Sequence, residues 1–239
     1  MELQQQRVVV IGGTSGIGLA VSRAAIGAGA EVVIASGRQA SVDAALTQLG
    51  TNASGQAVDV LDPSDVAAFF DSLAGVDHLV YTAGDALSLM AINDLALRLA
   101  RSFFEVRYFG ALNCIHAALP QLRAGGSVTL TSGSAAERPG PGWALAASVC
   151  GAMNSLTKAL AVELAPIRVN AVAPGVVRSP LWSQLSESDR DAMYNQVGQS
   201  LPVGRVGGVD DIAQAYLYCM TQGYGTGTVI EVDGGALLV

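Results

Sequence analysis

Residues 7–18 read RVVVIGGTSGIG, and this stretch decides the fold. Arg7 to Gly12 is an unbroken β-branched run, the pattern of a strand buried on both faces. A helical pattern follows from Gly16 to Ala28. Between them, glycines at 12, 13, 16 and 18 permit a tight turn and close approach of a diphosphate to the backbone. The helix then points its free N–H groups and positive dipole end at that anion. The order strand, glycine turn, helix reads as a nucleotide-binding element, with a purely structural turn as the plain alternative. It makes Gly12, Thr14, Ser15, Gly16, Ile17 and Gly18 candidate cofactor-binding residues.

Outward from this turn, short strand patterns alternate with helical ones. Strands are expected at 31–35, 55–60, 76–81, 127–131, 167–173 and 228–232. Helices are expected at 41–49, 63–73, 93–122, 142–165, 186–199 and 209–220. Pro63 suits the first turn of its helix, where no donor is lost. Such alternation predicts an α/β fold: a doubly wound, Rossmann-like parallel sheet of about seven strands with helices on both faces. There is no linker, repeat or low-complexity run, so residues 1–239 are expected to form a single dinucleotide-binding domain. Ligand is expected at the carboxyl ends of the strands, where strand order reverses.

Bulk composition agrees. The chain is 51% hydrophobic and only 14% charged, which excludes disorder. Mean hydropathy is +0.41 and the pI about 4.7. A net charge of −7 argues against a nucleic-acid surface. No run of apolar residues is long enough to predict a membrane span, and the start MELQQQR does not read as a signal peptide. The three cysteines, Cys114, Cys150 and Cys219, are odd in number and far apart, which predicts reduced thiols and a cytoplasmic location. With His78 and His116 the only histidines, no zinc site is expected. One count stands apart: of 13 basic residues, twelve are arginine and one is lysine, Lys158.

The second strand ends in Ala35-Ser36-Gly37-Arg38, and no acidic residue falls between Glu31 and Asp43. A carboxylate here would accept bonds from the ribose hydroxyls of NAD and would repel a 2′-phosphate. Arg38 supplies the opposite charge and Ser36 one more donor, which predicts NADP(H), with NADPH preferred over NADH. The alternative for Arg38 is a solvated loop arginine. Asp59 and Val60 close the third strand pattern, placed for the adenine edge, although Asp59 also suits a helix cap.

Together these features resemble the short-chain dehydrogenase/reductase family over nearly the whole chain. Residues 11–18 match its TGxxxGIG turn with Ile11 for Thr, and Tyr81-Thr82-Ala83-Gly84 its NNAG motif. Residues 160–175, ending in Pro174-Gly175, look like the stretch that leads into its Pro-Gly cofactor loop, and so does the end from Thr226 to Gly235. The resemblance implies cofactor roles for Ala83, Gly84, Pro174, Gly175 and Val177. Ser179 stands where a threonine usually contacts the nicotinamide amide. It also implies a homodimer or homotetramer, built on helices near 101–122 and 142–165 and on the C-terminal segment.

The family's chemistry uses an Asn-Ser-Tyr-Lys set. Tyrosine and lysine share one helix face, and the lysine charge lowers the phenol pKa so that it passes a proton near neutral pH. Registering LTKALAVEL, residues 156–164, against the family puts Ala146 at the tyrosine position and Cys150 at the lysine. Gly133, between Ser132 and Ser134, takes the serine position and Arg107 the asparagine. No shift restores the pair, because four residues before Lys158 stands Asn154.

No standard catalytic residue is therefore expected. The weaker candidates are Ser132, Ser134 and Arg107. Arg107 either extends into the space left at Ala146 and Cys150, putting a cation near the nicotinamide, or points outward to pair with a carboxylate. Arg138 and Trp143 follow the fifth strand, where the resemblance implies substrate entry, with loop surface and packing as the plain alternative. Tyr81 lies at a strand end near the cofactor site or is a packing residue, and His116 reads as core or interface. Three functions stay open: an atypical NADP(H)-dependent oxidoreductase acting on an unknown small molecule, a non-catalytic NADP(H)-binding sensor or scaffold, and an enzyme of another class such as a lyase or isomerase.

Overall fold

A computed structural model describes residues 2–87 and 89–239. Seven strands form one parallel sheet in the order β3-β2-β1-β4-β5-β6-β9. They are β1 (Arg7–Ile11), β2 (Glu31–Ser36), β3 (Ala53–Ala57), β4 (Val76–Tyr81), β5 (Leu122–Thr131), β6 (Arg168–Pro174) and β9 (Val229–Val232). Two further two-residue strands, β7 (Val177–Arg178) and β8 (Gly207–Gly208), pair with each other beside the sheet. The predicted doubly wound fold is the observed one. Strand order reverses between β1 and β4, and that crevice opens at their carboxyl ends.

The two faces of β1 show why its sequence has no polar residue between Arg7 and Gly12. Val9 and Ile11 join a core completed by Phe69 and Phe70 of α3 (Pro63–Asp71), Ile115 of α5 (Gly110–Ala118) and Met153 of α6 (Ala144–Glu163). Val8 and Val10 face the other way, toward Val21 of α1 (Gly16–Gly27), Val42 of α2 (Gln39–Leu49) and Ile212 of α8 (Val209–Thr221). The helix α7 (Glu187–Ser200) lies outside both cores and packs Tyr194 with Trp182 and Val206. Its Ser186 cap accepts from Asp189 N–H, while Asp62 caps α3 through Ser64 and Asp65 N–H.

Three expectations shift. The third strand ends at Ala57, because Val58 and Val60 leave the sheet edge to pack under α3. The helix expected at 93–122 is broken: α4 (Leu97–Phe104) leads into a π-helical turn, Glu105–Phe109, and only then into α5. Leu122, expected to end that helix, opens β5 instead, after a 3₁₀ turn containing Pro120. The helix α6 is long and apolar enough to cross a membrane by length and composition only, a property it shares with core helices of globular proteins. Its Ala146, Met153 and Leu160 face is buried, whereas Lys158, Ala159 and Val162 lie on an exposed outer face.

Candidate active site

The crevice at the strand ends is a cleft of about 560 Å³. Its floor is the glycine turn. Gly12 has φ +86°, and a Cβ there would lie 2.6 Å from the Ala83 nitrogen. A Cβ on Gly18 would stand 2.2 Å from the Gly12 carbonyl oxygen. Glycine is thus required for the turn to press against the end of β4, where Thr82 Oγ1 donates to Ile11 O at 3.0 Å. Ser15 caps α1 without a side-chain hydrogen bond, so the first-turn N–H groups remain for a ligand in the cleft. Gly16, at φ +53°, has Pro180 Cδ at 3.3 Å and Ser179 Cβ at 3.9 Å from the position of its missing Cβ.

Of the sequence candidates, Thr14, Ile17, Ser36, Asp59, Val60, Ala83, Gly84, Pro174, Gly175, Val177 and Ser179 all line this cleft with the turn. Thr14 Oγ1 donates to Ser36 Oγ at 3.2 Å. Asp59 is no cap for α3: it accepts from Leu61 N–H at 2.9 Å and leaves the capping to Asp62. Arg38 is exposed at the start of α2 and does not line the cleft.

At the other end lie Arg107, Ser132, Gly133, Ser134, Ala146 and Cys150. Arg107 sits in the π turn, a helix defect that commonly marks functional sites. Its side chain turns into the cleft. Nη2 donates to the Asp85 carbonyl, and the guanidinium lies 4.7 Å from the Phe103 ring centroid. Among the described residues Arg107 forms no salt bridge. Burial pulls its pKa below the ordinary guanidinium value, opposed first by Asp85 and then by Cys150. A guanidinium nevertheless stays charged in a protein.

Two polar groups at this end, Ser132 and Tyr81, are committed elsewhere. Ser132 Oγ lies 2.5 Å from Asn154 Oδ1 and 3.1 Å from the Cys150 carbonyl, so its one proton is held against α6. The buried Tyr81 phenol donates to Val106 O, and burial drives its pKa far upward. Burial also raises the Cys150 thiol, against the opposing influence of Arg107 and Ser132. All three cysteines are free. His116 is exposed on α5 outside the cleft, and the exposed Arg138 donates to Ala236 O.

The sequence did not single out Asp85, Leu87, Phe103, Leu181 or Trp182 as lining residues. Only Phe103 carried a signal, standing four residues before Arg107. Trp143, read as a residue of substrate entry or of packing, lines the cleft beside Trp182, with ring centroids 6.4 Å apart. Two backbone bonds tie the mouth together: Leu87 N to Leu181 O at 3.2 Å and Met90 N to Gly142 O at 3.0 Å.

A family model described as an SDR-like Rossmann domain matches residues 1–239. The chain belongs to the short-chain dehydrogenase/reductase family. This dehydrogenase/reductase is 36% identical to the short-chain dehydrogenase/reductase ucsE of Acremonium sp., over 99% of this chain and 97% of that one. A small-chain dehydrogenase solved in complex with NADPH superposes with a TM-score of 0.87 at 36% identity, covering 99% of this chain and all of the other. A short-chain oxidoreductase of Pseudomonas aeruginosa PAO1, described as containing an atypical catalytic centre, superposes with a TM-score of 0.90 at 27% identity. That match covers 99% of this chain and 98% of its own.

Proposed function

We propose that this short-chain dehydrogenase/reductase is an NADPH-dependent reductase of one domain that works without the Ser-Tyr-Lys proton relay. The observation that carries this is one cleft with two ends: a glycine turn shaped for a diphosphate and an arginine, Arg107, that forms no salt bridge among the described residues. The NADPH bound by a relative of equal identity along the whole chain supports the cofactor. Gly12, Thr14, Ser15, Gly16, Ile17 and Gly18 would hold the diphosphate, and Asp59 and Val60 the adenine. Ala83, Gly84, Pro174, Gly175, Val177 and Ser179 would hold the nicotinamide half. Ser36 and the exposed Arg38 reach for the 2′-phosphate from the rim, the basis for preferring NADPH over NADH.

When bound, the dinucleotide supplies a hydride. This chain's own contribution is positional and electrostatic. Ala146 brings no phenol and Cys150 no amine to the tyrosine and lysine positions, and Gly133 brings no hydroxyl. Arg107 is the fixed cation at that end, favouring the neutral reduced ring and an oxygen that gains negative charge.

Thermal-shift measurements with NADPH, NADP⁺, NADH and NAD⁺ test the reading. The largest stabilisation is expected with NADPH, and Arg38→Glu should remove its advantage over NADH. Equal shifts with NADPH and NADP⁺ that Arg107→Ala leaves unchanged would contradict the role of Arg107. NADPH binding without turnover of any carbonyl substrate would favour a sensor or scaffold. The exposed Phe109 and Val162 support assembly of copies through the long helices. Analytical ultracentrifugation of Val162→Arg should show loss of a dimer or tetramer.

A further inference from the structure

We infer that the substrate is a planar conjugated carbonyl compound, such as a quinone, whose reduced form is a phenolate or enolate held by Arg107 against the Trp143–Trp182 pair. This rests on the reductase reading and names its substrate class.

The argument starts from the missing acid. Reducing an isolated ketone leaves an alkoxide, whose conjugate acid ionises near water's value of about 16, so the proton must arrive as the hydride does. The cleft offers no lysine-assisted phenol for that: Ser132 is bonded to α6 and Tyr81 to Val106 O, which leaves the Ser134 hydroxyl and the Cys150 thiol without the family's relay behind them. A phenol ionises at about pH 10. A carbonyl conjugated into a ring therefore accepts hydride without a concerted acid, provided a cation meets the oxygen.

Arg107 meets that requirement. Its Nη2 is fixed by the Asp85 carbonyl, its Nη1 lies over Gly84 and its face lies against Phe103, which holds the cation at the cleft wall. A desolvated cation with no carboxylate bonded to it is costly unless a ligand supplies the anion. The tryptophan pair offers the ring an aromatic surface to lie on. Trp182 is buried, with its indole N–H on Val177 O at 3.1 Å, so it presents an apolar surface. Trp143 stands 6.4 Å from it, the rings tilted by 55°. Neither wall offers a charge to an aliphatic polyol or a phosphate.

The electrons balance as follows. The acceptor takes hydride from a reduced nicotinamide dinucleotide, which is oxidised. The new bond forms at the carbon β to the carbonyl, or at the distal oxygen of a quinone. The displaced π pairs shift along the conjugated system, and the last C=O π pair becomes a lone pair of the oxyanion beside Arg107, which water protonates after release.

Two measurements test this. In the first, 4-nitrophenol is titrated with the protein below its own ionisation pH, with and without NADP⁺. Binding is expected to develop the phenolate band. Arg107→Gln should abolish the band while tryptophan quenching persists, and Arg107→Lys should restore part of it. Binding as the neutral phenol, or a band indifferent to Arg107→Gln, overturns the proposal. In the second, NADPH oxidation with 1,4-naphthoquinone, corrected for the spontaneous rate, is expected to exceed that with cyclohexanone by about 100-fold. Equal rates overturn it. A protein that binds nitrophenolate through Arg107 but shows no thermal shift with NADPH keeps the anion site and loses the reductase reading.

Discussion

The side chain of Arg107 fills the space that a Cβ on Gly84 would need, with Nη1 1.9 Å from that position. The two residues come from different elements, the loop after β4 and the π turn before α5. Gly84→Ala is therefore expected to destabilise the fold by about 1–3 kcal/mol through overpacking. Arg107→Ala in the same chain should cancel part of that loss. Urea unfolding of the two single variants and the double variant measures the coupling, and additive losses would show that the residues do not share the space.

Gly133 and Cys150 form a second matched pair. A Cβ on residue 133 would stand 3.1 Å from the Cys150 Sγ, closer than side chains normally pack. Restoring the family's serine by Gly133→Ser should thus cost stability, on the order of 1 kcal/mol, and should yield no gain in turnover. Combined with Cys150→Ala the cost should shrink, measured by thermal melting.

His78 makes the fold sensitive to acid. Its Nε2 lies 2.7 Å from Gln6 Oε1 and its Nδ1 2.8 Å from Ser127 Oγ, an arrangement that suits the neutral ring. Burial, with a smaller push from Arg168 and against Asp77, lowers its pKa from 6.5 to about 4. The folded value lies below the unfolded one, so protons favour the unfolded chain. This contribution is fully present above pH 6.5 and is lost as the pH falls toward 4. The loss should approach about 3 kcal/mol, seen as a falling urea midpoint that flattens in His78→Gln.

The aromatic pair at the mouth divides its labour. Trp182 is buried against Tyr194 and Val206, whereas Trp143 is only partly covered. Trp182→Ala should cost about 3–5 kcal/mol in stability. Trp143→Ala should leave the melting temperature within a few degrees and weaken 4-nitrophenol binding instead. Differential scanning calorimetry separates the two effects.

The sheet was legible because its physics is local. Val8, Val9, Val10 and Ile11 declare burial on both faces, and the glycines of 12–18 declare a turn that must touch another backbone. The cofactor side of the cleft followed, since its residues sit in sequence-marked turns. The substrate side was harder. A π turn adds a residue to the helical repeat at Glu105–Phe109, so periodicity alone reads a straight helix through it. That Arg107 aims inward depends on Gly84 and Phe103, one on another element and one on a turn whose phase is altered. Trp182 and Leu181 gain their place from a backbone bond across the mouth to Leu87, which no residue pattern announces. The β3 boundary was missed for a simpler reason: Val58 and Val60 look like strand residues but are core residues beyond the strand.

Lys158, exposed on the outer face of α6, carries the chain's only side-chain amine. A succinimidyl dye or biotin would therefore have one side-chain target, on the opposite side of α6 from the cleft. Such a label can anchor the protein to a surface or report on neighbouring copies by energy transfer, and it leaves every cleft residue chemically untouched.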